Sequence, residues 1–152
     1  MSTVHLYAAT CSWSGSTALG YQNYDRSHLA AAGPNELALS SDPAFLGDPA
    51  RLNPEQLLVL AAASCQLLSF LAVAARARLD VRDYRDEATA TMPEEPRPVR
   101  LAEIVLRPHI VLAPGPSEER VRLLVEVAHR ECFIANSLAT PVRVDPTITF
   151  TA

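Results

Sequence analysis

Asn53-Pro54-Glu55-Gln56, followed by LLVLAAASCQLLSFLAVAA over residues 57–75, is the stretch on which the fold turns. Asn is a good N-cap, Pro fits the first helical position, and Glu and Gln occupy the first turn, so a helix starts here. The nineteen residues that follow carry no charge and are apolar around most of the circumference. Such a helix must be buried on nearly all sides. A transmembrane span has a similar length, but Ser64, Cys65, Gln66 and Ser69 stand in mid-span and strand-rich sequence lies on both sides. The reading adopted is a central core helix, shared between two subunits, with no membrane partner.

On the C-terminal side, VRDYRDEATATM (81–92) and VRLAEIVLRPHIVLA (99–113) each alternate polar and apolar residues around the Pro-rich PEEPRP (93–98). They predict the two strands of a hairpin. Ser117-Glu118-Glu119 then opens a second helix, with its acids where the helix dipole favours them. Val121, Leu124, Val125, Ala128 and Cys132 form its apolar stripe, which puts Cys132 on the buried face near the end. ANSLATP (135–141) reads as a turn and VRVDPTITFT (142–151) as a last strand. On the N-terminal side, TVHLYAATCSW (3–13) reads as a strand, with GSTALGYQNY (15–24) as its antiparallel return. Residues 25–52 form a long Pro-, Gly- and Ala-rich excursion with one short strand at most.

A chain of 152 residues, 49% of them hydrophobic, fits a single domain over 1–152. Its 13 basic residues are all Arg and are scattered among 17 acids, for a net charge of −4. That distribution lacks the basic cluster of a nucleic-acid-binding surface. MSTVHLYAAT has no basic segment followed by an apolar one, so a cytoplasmic location with reduced thiols is expected. Cys11, Cys65 and Cys132 lie far apart, with no C-x-x-C pair. They are therefore reactive or packing thiols, and no metal or other cofactor is expected. Cys11 is read as a packing residue, as are Trp13, Phe70 and Phe133, although the two phenylalanines could line an apolar pocket beside the sulfurs. His129 and Cys132 could share a metal, but no second ligand pair accompanies them.

Cysteines on apolar helix faces read first as small buried hydrophobes. The surroundings alter that reading. NPEQL with AAASC, and ECFIANSL ahead of a short strand, resemble the two signature segments of the OsmC/Ohr family, and the resemblance runs from Leu52 to Thr149. Two features depart from the common pattern: Gln66 follows the first cysteine where many members have His, and Phe133 follows the second where many have Pro.

The resemblance implies an α+β fold in which a long central helix and a second helix pack on curved antiparallel sheets in an intertwined homodimer. It implies reduction of organic hydroperoxides, with Cys65 as peroxidatic thiol and Cys132 as resolving thiol. An external dithiol, of lipoyl type, would restore the pair. An apolar helix face raises a thiol pKa, so a cation is needed to keep Cys65 ionised. The family uses an N-terminal Arg held by the Glu of the N-P-E motif. Matching gives Arg26 and Glu55, with Arg51 the rival cation. Ten residues of helix separate Glu55 from Cys65, about 15 Å, so the partner subunit's Glu55 is the one expected at the sulfur. Two other functions fit the same fold: a carrier of small hydrophobic ligands and a redox sensor with little turnover.

Overall fold

The computed structural model describes residues 2–152. The chain divides into two compact units, one ending at Leu57 and the other starting at Leu58. In the first, β1 (Ala9–Ser12), β2 (His28–Ala32) and β3 (Asn35–Leu39) form an antiparallel sheet in that order. The return strand is therefore β2 and not residues 15–24, with Cys11 opposite Ala30. Residues 15–24 instead hold a short 3-10 turn over Thr17–Leu19, whose N-cap Ser16 accepts from the Ala18 amide. The excursion contains two strands instead of one. Alanines dominate β2 and leave no alternation to read, and the tight turn into β3 rests on Gly33 at φ 57°.

The helix α1 (Pro54–Arg76) starts where expected. The Asn53 side chain accepts from the Gln56 amide at 2.9 Å while Gln56 Oε1 accepts from the Asn53 amide at 3.0 Å, a reciprocal capping box. Its C-terminus closes on Arg78 at φ 60°, with the Leu79 amide donating to Ala74 and the Arg78 amide to Ala75. This is a Schellman arrangement.

In the second unit the expected hairpin is present but bent. Its first arm divides into β4 (Val81–Asp86) and β5 (Thr89–Thr91), its second into β6 (Glu103–Leu106) and β7 (Pro108–Leu112). At the bend the Arg107 amide donates to Asp86 Oδ1 at 2.7 Å, and Pro108, with no amide hydrogen, begins the next strand. The last strand also breaks, at Asp145-Pro146, into β8 (Val142–Val144) and β9 (Thr147–Phe150). The result is two three-stranded sheets, β4-β7-β9 and β5-β6-β8. The expected antiparallel pairings are β4 with β7 and β5 with β6, and each sheet adds one parallel neighbour, β9 beside β7 and β8 beside β6. Parallel neighbours need a crossover, which α2 (Glu118–Arg130) supplies.

Phe70, Val73 and Ala74 of α1 pack with Ile110 and Leu112 of β7 and with Val121, Val125 and Ala128 of α2. Ala62, Ile104 and Leu106 form a second cluster. The expectation that α1 is buried on nearly all sides does not hold within one chain. Ala62, Gln66, Phe70, Val73 and Ala74 make one buried face, whereas Leu60 and Leu68 on the opposite face are 59% and 63% exposed. One chain has too few elements to cover both faces.

Candidate active site

Cys65 lies on the flank of α1, between the buried stripe and the bare one, and is half-buried. α1 is held to α2 by two side-chain bonds to main-chain carbonyls: Ser69 Oγ to Ala128 at 2.7 Å and Gln66 Nε2 to Val125 at 3.5 Å. These contacts bring the end of α2 to Cys65. Arg76 and Glu131 add an ion pair at 3.1 Å, exposed and of little energetic weight.

The apolar stripe of α2 does continue to Cys132, but the helix stops at Arg130. Cys132 is the N-cap of a further short helix, α3 (Phe133–Ser137), and is 1% exposed. The Asn136 side chain donates to the Arg130 carbonyl at 2.9 Å, closing α2 and turning the chain. The segment expected as a simple turn is thus partly helical. Its first turn points amide hydrogens at the sulfurs. The Ile134 amide donates to Cys65 Sγ at 3.5 Å. Burial pushes the Cys132 thiol up, the neighbouring Cys65 sulfur adds to the rise, and the amides of Ala135 and Ile134 oppose it. The two thiols, 67 positions apart in sequence, are therefore neighbours. Both are reduced.

Gln66, where the motif departs from its usual His, is fully buried and bound to α2, which makes it a packing residue of the helix pair. Phe70 is core, tilted on Tyr84 with ring centroids 6.0 Å apart. Phe133 is 81% exposed in the single chain, against the core position expected of it. Trp13 and Cys11 are exposed as well, against the packing role expected of them. A groove of about 580 Å³ runs along α2 and β8, lined by Arg122, His129, Arg130 and Arg143 among others, and includes neither sulfur.

Arg26 and Glu55 belong to the first unit. The Arg26 guanidinium is tightly held: it donates to the Tyr24 carbonyl at 2.9 Å and the Tyr21 carbonyl at 2.6 Å, and stacks 3.9 Å from the Tyr24 ring centroid and 4.9 Å from that of Tyr21. Trp13 fixes the same loop by donating from Nε1 to the Asp25 carbonyl at 2.7 Å. Arg51 pairs with Asp48 at 3.7 Å. Glu55 is half-buried in the first turn of α1. Sequence reasoning missed the Ile134 amide, which no side-chain pattern signals, and a pair of buried polar groups on β4, Tyr84 and Asp86, which alternation marks only as strand residues.

A family model for OsmC-like proteins matches residues 47–147. The chain belongs to the OsmC-like family. Among solved structures it is similar to an OsmC-like protein of unknown function from Vibrio cholerae, at 27% identity and TM-score 0.85, over 95% of this chain and all of that one. A second Vibrio cholerae protein, described as a candidate organic hydroperoxide resistance protein with captopril in one of its active sites, is 26% identical with TM-score 0.72, over 97% of this chain and 94% of that one. The organic hydroperoxide resistance protein of Elizabethkingia anophelis shares the fold, with TM-score 0.74 at 20% identity, over 99% and 100% of the two chains. No curated protein matches.

Proposed function

We propose that this OsmC-like chain is a thiol peroxidase that reduces organic hydroperoxides to alcohols. The observation that carries the reading is the pairing of a half-buried Cys65, bonded by the Ile134 amide, with a buried Cys132 beside it. Family membership and the hydroperoxide resistance proteins among its structural relatives support the same chemistry.

Cys65 attacks one peroxide oxygen as a thiolate. The O–O bond breaks, the alcohol leaves with a proton, and Cys65 becomes a sulfenic acid. Cys132 condenses with it, releasing water and forming a disulfide, which an external dithiol of lipoyl type reduces. No other cofactor takes part. The Ile134 amide stabilises negative charge on Cys65 without itself titrating. Arg26 supplies the cation, its planar fork pre-oriented by the two tyrosines. Homodimerisation completes the site: the bare stripe of α1 borders Cys65 and is covered by a second copy, whose Glu55 steadies Arg26. An apolar surround favours alkyl hydroperoxides over hydrogen peroxide, because the organic tail gains from burial. The cytoplasm, with its dithiol supply, is the compartment that suits this cycle.

The test is consumption of cumene hydroperoxide and of hydrogen peroxide with dihydrolipoamide as reductant. Cumene hydroperoxide should turn over faster. Cys65→Ser should abolish turnover, and Cys132→Ser should permit one event and leave a trappable sulfenic acid on Cys65. Activity unchanged in both variants would end the reading, and a single oxidation without turnover in the wild type would mark a sensor instead.

A further inference from the structure

Residues 13–27 leave β1 and return at β2, and the two strands close the base of this loop by pairing Ser12 with Leu29. Trp13 spans the loop from its first position. Its indole Nε1 donates to the Asp25 carbonyl at 2.7 Å, and its ring meets the Tyr24 ring edge to face, with centroids 6.3 Å apart. Tyr24 in turn meets the Tyr21 ring edge to face, also at 6.3 Å. Gly15 makes room for this arrangement, because a Cβ there would stand 2.7 Å from the Trp13 ring. Trp13 is 42% exposed and Tyr21 62%, so the cluster gains little as a hydrophobic core. What it holds is a cation. The Arg26 guanidinium stacks on both tyrosine rings, closest on Tyr24 at 3.9 Å, and donates to the main-chain carbonyls of both residues.

All of these partners are neutral. Among the described residues no ion pair includes Arg26. The acid next to it, Asp25, turns its carboxylate to the Ser27 amide at 2.8 Å, and that bond, with the more distant Arg51 charge, holds the carboxyl below its usual range. His28 faces the Arg26 carbonyl, not the guanidinium, through Nδ1 at 2.9 Å. Carbonyls and ring faces orient a guanidinium without cancelling its charge, whereas a carboxylate would cancel it. We propose that Trp13, Tyr21 and Tyr24 are positioning residues that hold Arg26 aimed and unneutralised for its work at Cys65, with Trp13 as the strut. Trp13 fixes the Asp25 carbonyl and the Tyr24 ring, and Tyr24 fixes the plane of the guanidinium. The indole N–H thus acts on the sulfur only through Arg26. A side chain ordered in advance has less rotamer freedom to lose when the site is completed.

The inference rests on the reading of Arg26 as the cation at Cys65, and its test needs no peroxide, so a failed peroxidase assay and a failed positioning role are separable. The measurement is the rate of Cys65 alkylation by iodoacetamide across pH, followed by mass spectrometry of the Cys65 peptide, so that the exposed Cys11 does not interfere. Tyr24→Leu removes the stacked ring and Trp13→Phe removes the indole N–H while keeping an aromatic edge. Each should move the profile upward and slow alkylation near pH 7 about two- to fivefold, the worth of one exposed cation–π contact or hydrogen bond. Tyr24→Phe keeps the ring and should match the wild type, which separates loss of stacking from loss of fold. In an Arg26→Ala background neither Tyr24→Leu nor Trp13→Phe should add to the loss, since both act through the missing guanidinium. All variants should converge in alkali, where the thiol ionises unaided. A profile moved by Arg26→Ala but not by Tyr24→Leu or Trp13→Phe would overturn the positioning role alone. A loss that persists in the Arg26→Ala background would overturn it too, as general damage to the loop. If Arg26→Ala itself moves nothing, the cation reading falls and the positioning role with it.

Discussion

Among single residues, Arg26 and Asp86 carry the sharpest expectations. Arg26 is clamped by two carbonyls and two tyrosine rings, whereas Arg51 has one long contact to Asp48. If Arg26 is the cation that sustains the Cys65 thiolate, Arg26→Ala should move the pH profile of Cys65 alkylation upward and Arg51→Ala should not. A profile displaced by about one pH unit corresponds to a thiolate fraction up to about tenfold lower at neutral pH. Lys at position 26 should rescue only partly, since it cannot reproduce the planar fork. A displacement confined to Arg51→Ala would transfer the role. For Asp86 the expectation concerns stability. Burial raises its folded pKa above the ordinary 3.8. The folded state therefore binds a proton more tightly than the unfolded one, and the stability tied to this group is fully present below pH 3.8 and lost as pH rises through the folded value. Asp86→Asn, which can still accept from the Arg107 amide, should thus leave Tm at pH 7 unchanged or raised, and the difference from wild type should shrink in acid. A lower Tm at pH 7 would contradict this.

At the level of elements, the junction between α1 and α2 sets the distance between the sulfurs. Ser69→Ala removes the bond to the Ala128 carbonyl and leaves that acceptor without its partner, at a cost of about 1–3 kcal/mol by denaturant unfolding. The same variant should slow disulfide formation more than Cys65 oxidation, because only the former needs α2 in register. At the other end of α1, Arg78 is an exposed residue in left-handed backbone geometry. Glycine adopts that conformation without the Cβ penalty, so Arg78→Gly should stabilise the protein by roughly 0.5–1 kcal/mol. Unchanged or lower stability would mean that the Arg78 side chain makes a contribution larger than the backbone cost.

For the whole molecule, the decisive feature is the second face of α1. Leu60, Leu68 and Leu71 follow one another at helical spacing and are all exposed in the single chain. A homodimer that covers them should report twice the 16.5 kDa chain mass by sedimentation. Leu68→Glu should place a charge in that interface, convert the protein to monomer, and abolish turnover by withdrawing the partner subunit's Glu55. A wild-type monomer at micromolar concentration would sink the dimer, and with it the shared site.

Local signals in the sequence are enough for α1 and for α2 up to its last turn, whereas the pairing of two cysteines comes only from the resemblance of their motifs to the family. Capping residues, charge-free runs and helical periodicity act over a few residues, so they survive in one dimension. The return strand of the first sheet lies elsewhere than expected because an alanine-rich strand has no alternation to read. The bend that divides one hairpin between two sheets, and the parallel pairing of β8 and β9, depend on contacts between distant segments. So does the Ile134 amide at Cys65. An amide carries no side-chain signature. The family and the two helices, one carrying Cys65 and one leading to Cys132, are thus legible along the chain itself. What surrounds those sulfurs is set by the folded arrangement alone, because packing and desolvation exist only once the elements have been brought together.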